Sequence, residues 1–111
     1  ALYTSSATLG PTTTAFSTTN ESSGTNYTSG GATISNVAVS LSGTVAFVDF
    51  DDVSFSSATI SDAAAALIYN SSASNRAIAV LDFGSTKSVS GGTLTVSLPS
   101  ASATTALIRI S

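Results

Sequence analysis

Two short apolar runs separated by a polar segment constrain the fold of this chain more than any other feature. The runs are residues 63–69 and 77–83, and the segment between them is rich in serine and asparagine. Each run is about one strand long and too short for a stable isolated helix. The alanines at 63–66 favour a helix by themselves, but a Leu-Ile-Tyr triplet and a turn follow directly. We therefore predict a central hairpin over residues 62–84, buried on at least part of both faces.

Further strand patterns are available to cover this hairpin. Alternating or dense apolar residues predict strands at 1–5, 32–42, 44–50, 58–60, 93–98 and 104–110, and Val53 and Phe55 alternate again after a turn at 51–52. A bulge or register change is expected near residues 35–36, and residues 85–92 predict a turn-rich connection. The pattern indicates an all-β fold in a single domain over residues 1–111. We predict an antiparallel β-sandwich, jelly-roll-like, with about seven or eight short strands.

Residues 10–31 show the weakest strand pattern and predict a long N-terminal loop or arm. They contain several glycines and few apolar anchors, and the only strand that their pattern suggests is a short one at 13–18. Loops of this length in a compact domain are often functional or bind a partner. The alternative is a plain mobile loop. The expected partner-contact residues are Pro11, Thr13, Phe16, Asn20 and Tyr27.

The residue types that carry most enzyme chemistry are missing. Without histidine or cysteine, the chain has neither a Ser-His-Asp nor a Cys-His arrangement, nor a histidine-based zinc site. Asp49, Asp51 and Asp52 form the only carboxylate cluster. They could contribute to a calcium site, but aspartates in turns commonly serve local hydrogen bonding. We therefore predict no enzyme, no catalytic or metal-binding residue, no cofactor and no small-molecule substrate.

The low charge of the chain points to protein partners. Only 8% of residues are charged, and the three basic residues, Arg76, Lys87 and Arg109, are far apart in sequence. Nucleic-acid binding needs clustered cations, and no apolar run is long enough for a membrane-spanning helix, so we expect neither partner. A surface of hydroxyls and alanines is poorly protected against association. A simple extracellular β domain is the alternative.

Several motifs resemble those of a group of small tailed-bacteriophage virion proteins. They are GTNYTSGGATI at 24–34, FDDVSFSSATI at 50–60, ALIYN at 66–70 and LDFG at 81–84. Their order and spacing extend the resemblance over nearly the whole chain. Phe55 departs from the pattern, because the group often has tryptophan at that position. Members also usually have residues before the position of Ala1, so we expect a processed or incomplete N-terminus.

The resemblance implies a role in virion structure and brings no catalytic residues with it. The expected function is that of a capsid decoration, or cement, protein on the outer surface of the virion. Such a protein would bridge subunits of the major capsid protein, and we expect it to act as a homotrimer. One alternative is a tail, neck or fibre component of the virion. Another, from a different class, is a carbohydrate-binding or adhesive β-sandwich module.

Overall fold

The computed structural model describes residues 1–99, 102 and 104–110, which form seven strands and no helix. The strands are β1 (Leu2–Tyr3), β2 (Gly24–Thr25), β3 (Ala38–Ser42), β4 (Val45–Asp49), β5 (Val53–Asn70), β6 (Arg76–Val96) and β7 (Ile108–Ile110). In one sheet β5 pairs with β1, β2 and β6, and in the other the order is β3-β4-β7. The chain is therefore all-β with two antiparallel sheets, which confirms the predicted all-β antiparallel fold class. The jelly-roll arrangement stays a prediction.

The chain divides into two compact units. Unit 1 comprises Ala1–Ala32 and Phe55–Leu94, and unit 2 comprises Thr33–Ser54 and Thr95–Ser111. Unit 1 contains β1, β2 and most of the β5–β6 hairpin, whereas unit 2 contains the three-stranded sheet. The prediction of a single domain over residues 1–111 stays a prediction.

The predicted central hairpin is present, but its first strand is much longer than predicted. The segments predicted as separate strands at 58–60 and 63–69 join the alternating residues 53–55 in one strand, β5. Ser57 has a φ of 49°, and the Nδ2 of Asn26 donates a hydrogen bond of 2.9 Å to the Ser57 carbonyl. One left-handed residue inside a strand is typical of a β-bulge, which shifts the alternation while pairing continues. The bulge explains why the buried side chains change parity between Phe55 and Ala58.

The second strand of the hairpin also passes through residues predicted as a connection. The prediction of turns at 85–92 is wrong, because β6 runs through this segment. Gly84 and Gly91 have φ values of 74° and 63°, which glycine adopts without steric cost. The Gly84 N–H donates to Oδ1 of Asp82 (2.8 Å), and the Gly91 N–H donates to Oγ1 of Thr59 (3.0 Å). These side chains satisfy backbone groups at the irregular positions, so the strand continues.

The core of unit 1 depends on the run of alanines in β5. Leu2 lies opposite Ala66 and Tyr3 lies opposite Ala65 in the β1–β5 pair. Leu2 and Tyr3 are almost fully buried, at 1% and 2% exposure. A small side chain opposite a large one leaves room for the large one to fill the layer, so packing overrides the helix preference of alanine.

Most of the remaining elements are shorter than predicted, and the two-residue strand β2 lies in the arm at a place where no strand was predicted. The strand considered at 13–18 is wrong, since Ala15 forms only an isolated bridge with Arg76. The strand predicted at 32–42 is confined to β3, and Asn36, with a φ of 53°, precedes it. This left-handed residue lies where the register change was expected.

Candidate functional site

The single glutamate of the chain organises part of the arm, residues 10–31. Oε1 of Glu21 accepts hydrogen bonds from the Tyr27 hydroxyl (2.9 Å) and the Gly30 N–H (2.6 Å). Oε2 accepts one from the Ser29 hydroxyl (2.7 Å). We call Glu21, Tyr27, Ser29 and Gly30 the carboxylate knot. Hydrogen bonds to an ionised acceptor are among the stronger ones in proteins, so the knot holds a glycine-rich segment that has few apolar contacts.

The knot also connects the arm to strand β1. The Leu2 N–H donates to the Tyr27 hydroxyl oxygen (2.8 Å). Burial raises the pKa of Tyr27 well above its usual value, and the neighbouring Glu21 carboxylate raises it further, although the bond from Leu2 opposes the shift. Burial lowers the pKa of the Ala1 amino group, and Glu21 opposes that shift. Tyr27 therefore stays protonated and remains a donor to Glu21 at neutral pH.

The other two tyrosines hold the arm at further points. The Tyr3 hydroxyl donates to the Ser17 carbonyl (2.6 Å), and the Tyr69 hydroxyl donates to the Gly30 carbonyl (2.8 Å). The ring of Tyr69 stacks on Phe16 with centroids 4.7 Å apart. Burial raises the pKa of Tyr3, while the Ser17 N–H, which donates to the Tyr3 hydroxyl oxygen (3.2 Å), opposes the shift. Polar contacts thus replace the apolar anchors that the arm lacks.

The five predicted partner-contact residues lie in different local environments. Pro11 and Thr13 line a groove beside β6. Phe16 is half-buried in the stack with Tyr69, and Tyr27 is half-buried in the carboxylate knot. Asn20 is exposed, has a φ of 59° and donates through Nδ2 to the carbonyl of Ser6 (3.2 Å). The structure therefore brings Pro11 and Thr13 together, but it does not bring all five into one surface. Their role in partner binding stays a prediction.

The aspartate cluster has hydrogen-bonding roles within unit 2. Oδ2 of Asp51 accepts a bond from Asn36, and Oδ1 of Asp52 accepts one from the Leu98 N–H (2.7 Å). Within residues 1–99, 102 and 104–110, no three acidic side chains are grouped closely enough to hold a metal ion. The local role of aspartate that the sequence suggested accounts for these contacts.

One face of the three-stranded sheet is entirely aliphatic. Leu41 pairs with Ala46, and Ala46 pairs with Ile110 on its other side. The neighbouring row has the order Val39, Val48 and Ile108. Directly opposed residues of antiparallel strands share a face, as do alternate residues along each strand. We call these six residues the aliphatic face.

The aliphatic face is open to solvent at both of its edges. Val39, Leu41 and Ile110 are 74%, 73% and 71% exposed. On the opposite face, one row across the three strands consists of Ser40, Phe47 and Arg109, with the two polar residues on either side of the phenylalanine. Exposed aliphatic groups from three neighbouring strands are typical of protein interaction surfaces, unlike isolated apolar residues. We regard this face as the main candidate site of unit 2.

The sequence contained part of the signal for this face. The alternation in 37–41 and in 106–110 places valine, leucine and isoleucine on one side of each strand. Alternation does not reveal whether that side faces a core or solvent. Arg109 lies between the two isoleucines in sequence and pairs with Phe47, so it belongs to the opposite face.

Comparison of the chain with protein-family models, curated proteins and solved structures finds no match. In the part of the chain that the structure describes, there is no helix long and apolar enough to cross a membrane.

Proposed function

We propose that this chain is a structural virion protein that acts as a capsid decoration, or cement, protein. In this proposal it lies on the outer surface of a bacteriophage head and bridges subunits of the major capsid protein as a homotrimer. The exposed aliphatic face is the observation that carries the proposal. In this proposal the aliphatic face buries apolar surface against another protein, and no catalysis is involved.

The size of the aliphatic face favours several simultaneous contacts over a single one. Three strands about 4.8 Å apart, with at most about five residues at about 3.4 Å each, give a flat footprint of at most about 240 Å². A standard stable interface buries about 800 Å² on each partner. At about 25 cal/mol per Å², burying both surfaces contributes about 12 kcal/mol before association costs of about 4–15 kcal/mol.

A single contact of that size is therefore marginal, which favours an assembly. Three linked copies that bind neighbouring capsid subunits together gain affinity, because the second and third contacts form at high effective concentration. The scarcity of charge in the chain fits a broad apolar and hydroxyl-rich contact. The motif resemblance at 24–34, 50–60, 66–70 and 81–84 adds the virion as the setting.

Copy number and particle stability test the proposal. Purified particles of the virus that encodes the chain should contain many copies of it. Particles made without it should lose resistance to heat and to osmotic shock. Unchanged particle stability, or absence of the chain from purified particles, would contradict the cement function.

Substitutions on the two faces of β3 test which surface binds. Leu41→Ser removes an exposed side chain from the aliphatic face, whereas Ser40→Thr changes the opposite face of the same strand. Both residues are exposed. The free energy of unfolding of each variant should therefore lie within about 0.5 kcal/mol of that of the wild type. Leu41→Ser should lower the number of copies bound per particle, and Ser40→Thr should not. Equal occupancy of the two variants would remove the aliphatic face from the interface.

The two alternative functions are separated by other measurements. A tail, neck or fibre component would be present in few copies per particle and would fractionate with tails. An adhesive module would bind glycans as an isolated chain, so a glycan array on which the chain shows no binding would exclude it. The tyrosines, which often stack on sugars in such modules, here make internal hydrogen bonds.

A further inference from the structure

The arm pairs with the outer edge of strand β6 at the beginning of that strand. The Phe16 N–H donates to the carbonyl of Asn75 (2.9 Å), and the Ala77 N–H donates to the carbonyl of Thr14 (2.9 Å). This pairing ends there, and β6 continues along β5 on its other side. Among the described residues, no further backbone partner extends the pairing of the arm along 78–83. A short sheet edge is thus left open directly beyond the arm.

The pairing of the arm determines which backbone groups this edge presents. In a strand, the N–H and C=O of one residue point to the same side, and the side alternates along the chain. Asn75 and Ala77 use their backbone groups to bond the arm, so those of Ala79 and Leu81 point to the same side. The Gly84 N–H is occupied by Asp82 (2.8 Å), and its φ of 74° ends the regular stretch. The open edge therefore offers at least the N–H and C=O groups of Ala79 and Leu81 in strand geometry.

A groove runs along this edge. It has a volume of about 490 Å³. One wall consists of Leu9, Gly10, Pro11 and Thr13, and the other of Ala77, Ile78, Ala79, Val80 and Asp82. We call this the edge groove. Its walls are mostly aliphatic, Ile78 is 53% exposed, and its one charged side chain is Asp82 at the far end.

We propose that the edge groove binds an extended peptide segment of another protein by β-strand addition. The segment continues the line that arm residues 14–16 begin, and it bonds the N–H and C=O groups of Ala79 and Leu81. Small aliphatic side chains of the segment face Ile78 and Val80, and a lysine or arginine at its end lies near Asp82. Backbone bonds give affinity in this mode, while alternate side chains give specificity. The inference goes beyond the proposed function, because it concerns a groove in unit 1 and an extended chain as the partner.

A designed peptide separates strand addition from simple apolar contact. The probe is Ac-Thr-Val-Thr-Val-Thr-Lys-amide, titrated into the ¹⁵N-labelled full chain to about 1 mM, where weak peptide affinities are measurable. We expect the amide signals of Ala79 and Leu81 to shift. Two further probes carry N-methyl groups on alternate residues, one set on each edge of the peptide. One set should weaken binding by about tenfold or more, because it removes the donors that face β6, and the other set should not.

Three protein variants complete the test. Ala79→Pro removes one outward N–H at an edge position that tolerates proline, and it should abolish the shift of the Leu81 amide. If that variant does not fold, Ile78→Lys, which alters an exposed side chain in the groove, should weaken binding instead. Asp82→Asn keeps the acceptor for Gly84 and should remove the preference for a lysine-ended probe over a glutamate-ended one.

Three results would overturn the proposal. They are an absence of shifts at about 1 mM peptide, equal binding of the two N-methylated probes, and shifts confined to the aliphatic face. None of them bears on particle stability, so failure of strand addition and failure of the cement function are distinguishable.

Discussion

Replacing Glu21 should show how far one carboxylate stabilises the arm. Glu21→Ala removes the acceptor of three hydrogen bonds, from Tyr27, Ser29 and Gly30. The bonds from Tyr27 and Gly30 are partly buried, whereas Ser29 is exposed and can bond to water instead. A bond to a charged acceptor contributes about 1.5–3 kcal/mol when it is buried. Two partly buried bonds at the low end of that range give a loss of about 3 kcal/mol in the free energy of unfolding.

Urea unfolding followed by tyrosine fluorescence measures this loss. The chain has no tryptophan, and all three tyrosines lie in unit 1, so the signal reports on the part of the molecule that contains the knot. With an m-value of about 1.5 kcal/mol per M for a domain of this size, the midpoint should fall by about 2 M. A loss of this size is a large fraction of a typical domain stability of about 5–15 kcal/mol.

Glu21→Gln is the matched control for the hydrogen-bond count. The amide oxygen can still accept from Tyr27 and Gly30, and the amide nitrogen can donate to the Ser29 hydroxyl. Only the charge is lost, so we expect a loss of about 1 kcal/mol. A loss below about 0.5 kcal/mol for Glu21→Ala would refute the stabilising role of the knot. Equal losses for the two variants would show that charge, and not hydrogen bonding, is responsible.

Three further predictions concern glycine, a bulge and pH. Gly24→Ala should destabilise unit 1 by more than about 2 kcal/mol, because the new Cβ would lie 1.8 Å from the carbonyl oxygen of Thr59. Gly10→Ala places its new Cβ with no heavy atom within 4 Å, so its free energy of unfolding should stay within about 0.5 kcal/mol of that of the wild type. Equal urea midpoints for Gly24→Ala and Gly10→Ala would contradict the clash. Ser57→Gly should keep or raise the midpoint, because the left-handed conformation costs an L-residue about 1–2 kcal/mol; a lower midpoint would argue against the bulge. The free energy of unfolding should fall as pH rises past about 10, because Tyr27 keeps its proton in the folded chain after the unfolded chain has lost it. Each tyrosine with a raised pKa contributes at most about 1.4 kcal/mol per pH unit to this fall. Tyr27→Phe should flatten this decline in urea midpoints measured from pH 9 to 11, and an unchanged slope would count against the raised pKa.

The strand class was predictable because it depends on local alternation, but the strand ends were not. Gly84 and Gly91 end a strand in most sequence patterns, yet here they are irregular positions inside β6. Whether a glycine ends a strand or bends it depends on a partner, such as Thr59 for Gly91. Thr59 lies 32 residues before Gly91 and is therefore invisible in a local window.

The residue types at the candidate sites were predictable from the sequence, but their positions relative to one another were not. The arm was expected to contact a partner because it has few apolar residues, and Pro11 and Thr13 do line the edge groove. Glu21 was not singled out, although the only glutamate in a chain with few charges was an available signal. Its three donors come from residues six to nine positions later, and no motif marks that spacing.

The sequence by itself determined the all-β class, the central hairpin and the absence of histidine and cysteine chemistry. Each of these follows from residue type or from the two-residue period of a strand. Tertiary structure alone decided which aliphatic sides face solvent. Leu41 and Leu67 are similar in a sequence window, yet Leu41 is 73% exposed and Leu67 is 1% exposed. Side chains project from the faces of a sheet, and other residues cover the face at Leu67 but leave the aliphatic face at Leu41 open. What covers a sheet face comes from residues distant in sequence, so local periodicity does not encode it.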